Sequence, residues 1–292
     1  MYRSVPHGVL IVNRKKLDFC LTALVFRRGE RYTQFMLGEV TARIIETLGE
    51  YERSHGLPKS WKTPLVAVAS AANANFARLK EVVSPTHLLP EDILPGAKSG
   101  VSFFIPFEDW IVHENTGEGP ASRSWALAYL QTNDLIAHIN VSLESLFQSR
   151  GAATGKIPAT HNFDEERLLS DWSHRHIAYI AGLGSFGLNN MLITSQGCCG
   201  RFGSLVTDFA FPEAEYARQG PFPERCLHKL RGICGLCRTR CPAGAYTPEG
   251  FDRHRCYARC LENARRYESL GLADVCGKCV TGLPCSLRDP SL

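Results

Sequence analysis

The sequence predicts an α/β chain of the α+β kind, with a body over residues 1–220 and a small cysteine-bearing portion over residues 221–292. Three observations predict it. Apolar residues recur at helical spacing in some stretches and as short bounded runs in others. Nine of the twelve cysteines lie between Cys226 and Cys285. No apolar run approaches the ~20 residues that cross a bilayer, and the opening residues Met1 to His7 form neither a signal nor a transit peptide. A cytoplasmic protein with no membrane partner is the expectation.

Taken in order, Gly8 to Phe26 alternates apolar and polar positions loosely, as an edge strand or two would. Met36 to Tyr51 places Leu37, Val40, Ile44, Leu48 and Tyr51 at helical spacing, and Gly56 stops the helix. Pro64 to Ser70 reads as a short buried strand and Phe76 to Val83 as a helix. The stretch through Pro85, Pro90 and Pro95 reads as loop, and Leu94 to Phe107 as a turn feeding a strand. Glu108 to Arg123 is polar, glycine-bearing and long enough to act as a lid. Ser124 to Phe147 is a long helix with Ala126, Tyr129, Leu130, Leu135 and Ile139 facing inward, and Gly151 lies beyond its end. A helix over Asp164 to Ile180 and a strand over Ser204 to Phe211 complete an α/β sandwich.

Between those last two lies Ala181-Gly-Leu-Gly-Ser-Phe-Gly-Leu-Asn-Asn190. Gly182, Gly184 and Gly187 spell G-x-G-x-x-G, and Asp208 follows about twenty residues on, as in a dinucleotide site. That fingerprint needs a strand before it and a helix after it, so that a pyrophosphate meets a helix N-terminus. Here a helix precedes, and Leu188 to Ile193 is too short to be one. The glycines instead let the backbone pass close to another large flat ligand or to a packed neighbour. Upstream, Asp171, His174, Arg175 and His176 form a polar cluster, and Asp171, His174 and His176 are the candidate proton donors. The two histidines, two residues apart, point to different sides of a helix. Cys198 and Cys199 are adjacent, do not chelate one metal comfortably, and read as small buried residues.

The cysteine-rich stretch centres on Cys234-Gly-Leu-Cys237-Arg-Thr-Arg-Cys241-Pro242, with Cys226 upstream, followed by Cys256, Cys260, Cys276, Cys279 and Cys285. Two residues between cysteines let a tight turn aim both sulfurs inward. The last three positions of the run C-x2-C-x2-C-x3-C-P match, and in that run the cysteine before proline ligates the other cluster of a pair. Arg231 fills the slot of the first cysteine, which leaves Cys226 as its replacement. The expectation is two 4Fe-4S clusters, one on Cys226, Cys234, Cys237 and Cys285 and one on Cys241, Cys256, Cys276 and Cys279. Cys260 is spare and could exchange roles with Cys256. Paired C-x2-C turns also build structural zinc ribbons, and nine cysteines could be the disulfides of a secreted domain.

The formal charge of +4 is unevenly placed, since from Pro221 onward twelve Lys and Arg stand against seven Asp and Glu. Localised basic charge suits nucleic acid. It also suits two buried anionic clusters, with Arg231, Arg238, Arg240, Arg255 and Lys278 between their ligands as counter-charge.

These motifs resemble a known family. Leu94-Pro-Gly-Ala-Lys-Ser99 before a strand, Ala181-Gly-Leu-Gly184, Phe186-Gly-Leu-Asn189, the strand ending near Asp208, the Cys234 to Ala245 run and Asp252-Arg-His-Arg-Cys256 are similar to the epoxyqueuosine reductases, relatives of the reductive dehalogenases, over about residues 94 to 285. The resemblance implies a nitroreductase-like α/β core that binds a base-off corrinoid, cobalamin. It also implies a ferredoxin-like portion whose two clusters pass electrons to cobalt. By position, Gly182, Gly184, Phe186, Gly187 and Asn189 would line the corrinoid pocket, and Arg175 matches the arginine six residues before Ala-Gly-Leu-Gly. An external donor of ferredoxin or flavodoxin type would supply the electrons.

Three departures matter. The family's proton-donating aspartate would fall at Leu168, the last motif is C-x2-C-x5-C with proline before Cys285, and the chain stops seven residues after Cys285. Together they argue against tRNA and for a small-molecule substrate. The leading expectation is therefore an iron-sulfur, cobalamin-dependent oxidoreductase. An electron-transfer protein without corrinoid is the alternative, and a structural zinc module the third.

Overall fold

In the computed structural model, residues 37–158, 163–217 and 220–292 are described, and the strands expected over Gly8 to Phe26 lie outside them. Helix α1 covers residues 37–54 and turns Val40, Ile44, Leu48 and Tyr51 inward, as its spacing requires. Strand β1 (Leu65–Ser70), helices α2 (Asn75–Val82) and α3 (Pro90–Ile93), and strand β2 (Ser99–Pro106) follow. The expected loop through Pro90 thus contains a turn of helix, because Pro90 occupies its first position and the Asp92 carboxylate accepts from the Leu89 N–H at 2.8 Å.

The expected lid is also partly helical. Asp109–Glu114 forms α4, with Ile111 and Val112 buried, and only the remainder up to α5 (Arg123–Gln148) is irregular. Helix α5 is capped by Ser122, which accepts from the Trp125 N–H at 3.2 Å, and Ala126, Tyr129, Leu135 and Ile139 are buried on it.

After β3 (Thr154–Lys156), the helix expected over Asp164 to Ile180 splits. Strands β4 (Phe163–Asp164) and β5 (Leu169–Ser170) pair across a turn, and only His174–Ile180 forms a helix, α6. The Asp164 carboxylate accepts from the Arg167 N–H at 2.7 Å, and Leu168 takes φ 53. An aspartate bonded to its own turn competes with helix at this position. A second hairpin, β6 (Gly184–Phe186) with β7 (Leu192–Thr194), leads into β8 (Gly200–Thr207). That strand ends four residues before the expected limit at Phe211, and there the Asp208 carboxylate accepts the Ala153 N–H at 2.8 Å.

The central sheet has the order β1-β2-β8-β3, with each neighbouring pair antiparallel. All eight residues of β2 are buried, so both faces of the sheet are covered. Side chains alternate across a strand. Val101, Phe103 and Ile105 therefore pack with Leu135, Ile136 and Ile139 of α5, while Phe104 meets Ala178 of α6 on the other face. At ~1.5–3 kcal/mol for each large apolar side chain buried, this two-sided core is the main stabilising term of the body.

The remaining elements are short: α7 (Leu227–Arg231), α8 (Leu236–Thr239), β9 (Tyr246–Thr247), β10 (Gly250–Phe251) and α9 (Arg253–Arg266). Irregular segments joining them are tied to the body. Asn263 of α9 accepts the Ala121 N–H at 3.1 Å and donates to the Val275 carbonyl at 2.8 Å. Asn115, just beyond α4, donates to the Cys276 carbonyl at 3.0 Å, and its own carbonyl accepts from Lys278 Nζ at 3.1 Å.

Candidate metal centre

The four cysteines Cys226, Cys234, Cys237 and Cys285 line one pocket, together with Leu188 and Asn189 from the β6–β7 turn. Local structure explains three of them. Cys226 stands at the N-cap of α7, and the helix closes at Gly232, whose φ of 69 suits a residue without a side chain. The returning chain places Cys234 beside it, and Cys237 is buried on α8. Cys285 arrives from the far end of the sequence, where the Cys198 N–H donates to its carbonyl at 3.0 Å and the Cys199 N–H to the Ser286 carbonyl at 3.1 Å. Burial, and then the thiols of Cys285, Cys226 and Cys234, push the Cys237 thiol up to about 11.

Cys241, Cys256, Cys276 and Cys279 form a second neighbourhood. Burial, and then the thiols of Cys256, Cys276 and Cys241, push Cys279 up to about 12, with the nearby Tyr246 hydroxyl opposing them. Cys256 and Cys260 lie one turn apart on α9, and their thiols are hydrogen-bonded to each other. The Tyr246 hydroxyl lies beside Cys279 and within reach of the charges of both Cys237 and Cys241, so it stands between the two sets.

All eleven cysteines among the described residues are free. Among those residues, no three His, Cys, Asp or Glu side chains are grouped to hold a metal ion. A lone zinc draws its sulfurs to ~2.3 Å from one point, whereas a cubane spreads four thiolates over four irons.

The counter-charges fall only in part as expected. Lys278 bonds the Asn115 carbonyl and its charge reaches Cys276, whereas Arg240 donates to the Thr281 carbonyl at 2.7 Å and Arg255 pairs with Asp252 at 3.3 Å. Instead Arg175 of α6 lies close enough to Cys256 to favour its thiolate. Arg175 also donates to the Asn190 carbonyl at 2.5 Å, which holds the β6–β7 turn against α6.

The glycines of that segment face the chain's own atoms. A Cβ on Gly182 would meet Ala217 and Phe222 at 3.1 Å, one on Gly184 the Ile193 carbonyl oxygen at 2.1 Å, and one on Gly187 the Asn189 amide oxygen at 2.6 Å. The packed neighbour, rather than a flat ligand, fills the space the glycines leave. Phe186 lies against the His176 ring, with centroids 4.6 Å apart. Asn189 donates toward the sulfurs of Cys198 and Cys285 at 3.8 and 3.9 Å. Reading Cys198 only as a small buried residue missed this position, because the signal is a tertiary contact with Cys285.

The proton-donor candidates do not converge on the cysteines. His174 is buried, with Nδ1 2.7 Å from Ser204 Oγ and Nε2 3.1 Å from the Pro158 carbonyl. His176 Nδ1 lies 2.7 Å from Ser173 Oγ. Burial lowers each imidazole to about 4, aided at His176 by the Arg175 charge and opposed at His174 by the bond to Pro158. Both are neutral near pH 7. Asp171 accepts from the Thr86 hydroxyl.

No family model matches the sequence, and no curated protein matches it. Solved structures do. The epoxyqueuosine reductase of Bacillus subtilis matches with a TM-score of 0.49 at 18% identity, over 84% of this chain and 66% of its own. A catabolic reductive dehalogenase matches with a TM-score of 0.49 at 16% identity, over 77% of this chain and 30% of its own. These are the protein families that the sequence motifs resemble.

A further epoxyqueuosine reductase, solved with an epoxyqueuosine-modified tRNA-Tyr stem loop, matches with a TM-score of 0.49 at 18% identity, over 84% of this chain and 66% of its own. Its bound stem loop overturns the argument against tRNA drawn from the sequence. This chain spans just under two thirds of the length of these reductases. Likeness at such identities assigns neither activity nor residue roles. Among the described residues, no helix is long and apolar enough to cross a membrane.

Proposed function

We propose that this protein is an iron-sulfur reductase in which residues 1–220 form the body and residues 221–292 a ferredoxin-like one-electron relay. What supports the reading is that Cys226, Cys234, Cys237 and Cys285 line one pocket, while Cys241, Cys256, Cys276 and Cys279 are close enough for their charges to act on one another. Buried thiols that raise one another's pKa resist holding negative charge together, and iron in their midst relieves that cost. When bound, two 4Fe-4S clusters supply storage and transfer of single electrons.

The chain's own residues hold and tune these groups. Cys226, Cys234, Cys237 and Cys285 hold the first, and Asn189 presents an N–H to its sulfurs. Cys241, Cys256, Cys276 and Cys279 hold the second, with Arg175 as the positive charge beside Cys256. A cobalamin would supply two-electron chemistry at cobalt. Gly182, Gly184 and Gly187 do not fit as its lining, since the chain's own atoms occupy their open sides, and the reading takes no step through it.

Metal analysis and absorbance of anaerobically purified protein test the proposal. The expected result is a brown protein with a broad shoulder near ~400 nm that dithionite bleaches, and about eight irons per chain. In Cys237→Ser the iron should fall by about half. A colourless protein carrying zinc would overturn the reading. Cobalt retained after purification would restore the corrinoid.

A further inference from the structure

The short hairpin of β9 and β10 fixes Tyr246 beside the second cysteine set. Just before it, the Ala245 N–H donates to the sulfur of Cys241 at 3.4 Å, and the Ala245 carbonyl accepts the Asp252 N–H at 2.8 Å. Tyr246 pairs with Phe251 across the two strands, and their ring centroids lie 5.0 Å apart. The backbone and ring are thus both held. The hydroxyl ends beside Cys279, which acts on it more strongly than Cys237 or Cys241 does.

That hydroxyl is buried and has no hydrogen-bond partner among the described residues. Packing alone does not explain it, because phenylalanine offers the same ring with no polar atom to bury. A buried donor left unbonded is costly, and such a group in a folded protein calls for a partner. A second donor points the same way. The indole N–H of Trp125 is also buried with no partner among the described residues, and its ring packs on Gly277, where a Cβ would meet Nε1 at 2.5 Å. Gly277 belongs to the turn from Cys276 to Cys279, so both donors border the same pair of thiols. A phenol keeps its proton near pH 7, and sulfur is the acceptor that this neighbourhood offers.

We propose that the Tyr246 hydroxyl donates a hydrogen bond to a sulfur of the metal group held by Cys241, Cys256, Cys276 and Cys279, and thereby raises that group's reduction potential. The inference rests on the iron-sulfur reading above. A hydrogen bond to these sulfurs stabilises the reduced state, in which they carry more negative charge. The ring of Tyr246 packs, and its hydroxyl tunes.

The test is a redox titration of the anaerobic full-length protein, followed by electron paramagnetic resonance. In Tyr246→Phe the ring is kept, so iron content and colour should match the parent. One midpoint should fall by about 59 mV, the equivalent of a tenfold loss in the one-electron reduction equilibrium. The same fall should appear in a Cys237→Ser background, where the second group remains. 3-Fluorotyrosine placed at position 246 is a more acidic and therefore stronger donor of nearly the same size, and should move that midpoint upward. A tyrosine that only packs, or whose hydroxyl bonds only water, would move neither. Unchanged midpoints in both substitutions overturn the role of Tyr246, and so does a shift confined to the group lost in Cys237→Ser. A colourless parent protein overturns the iron-sulfur reading itself; with a brown parent, only the role of the tyrosine is at stake.

Discussion

The side-chain amide of Asn189 reaches to 3.9 Å from the sulfur of Cys285, so the β6–β7 turn bears directly on the last cysteine of the chain. Hydrogen bonds to cluster sulfurs favour the more negative, reduced state and raise the reduction potential. Asn189→Asp keeps the oxygen that accepts the Met191 N–H at 3.1 Å but replaces the donor with a negative atom. On the iron-sulfur reading proposed above, the group held by Cys285 should then become harder to reduce by about 60 mV, the one-electron equivalent of ~1.4 kcal/mol. A redox titration followed by electron paramagnetic resonance measures this, and an unchanged midpoint would refute the role of Asn189.

Gly197 holds the same cysteine by a different means. Its φ is 82, and a Cβ there would meet the Ser286 carbonyl oxygen at 2.4 Å and the Arg288 nitrogen at 2.6 Å. Backbone cannot yield as a flexible side chain does, so Gly197→Val should displace residues 285–288 and with them Cys285. About half the iron should be lost, whereas Gly38→Ala, with open space around it, should keep all of it. Full iron content in Gly197→Val would show that Cys285 is not held this way.

Cys256 and Cys260 share one face of α9, and their environments separate them. The charge of Arg175 favours the thiolate of Cys256, whereas the charges of Cys276 and Asp274 near Cys260 disfavour a second thiolate there. Metal ligands are thiolates. Cys256→Ser should therefore lose about half the iron and Cys260→Ser little, as counted by iron assay; the opposite pattern would exchange their roles.

His174 makes stability depend on pH in a set direction. Its folded value of about 4 lies below the ordinary 6.5, so the unfolded chain takes up a proton that the native state refuses. The contribution is fully present above about pH 6.5 and is lost as the pH falls toward 4, by ~3 kcal/mol. Urea midpoints should fall across that window, and His174→Gln should flatten the slope by about one proton. An equal slope in the two proteins would mean that His174 is protonated in the native state.

The parts of the fold read correctly from sequence are those in which periodicity and burial agree. Helix α5 and strand β2 were legible because a long amphipathic run and a bounded apolar run have few alternative conformations. The stretch from Asp164 to Ser173 was not, since Asp164 bonds its own turn and Trp172 joins the body through its indole N–H, which donates to Ser204 Oγ at 3.0 Å. Helical spacing carries no trace of either bond.

What the sequence determined by itself was the chemistry on offer: nine thiols between Cys226 and Cys285, with proline after Cys241, in a chain without a long apolar run. Spacing along the chain is a local property, and sulfur aimed inward by a two-residue turn is local too. The grouping of Cys285 with Cys226, Cys234 and Cys237 was expected from the motifs, but what holds it there was decided by tertiary structure. Cys285 joins Cys226, Cys234 and Cys237 because the turn at Gly197 and the N–H groups of Cys198 and Cys199 clamp its segment onto the body. Such contacts join residues nearly ninety positions apart, and only the packing of the chain brings them within hydrogen-bonding distance.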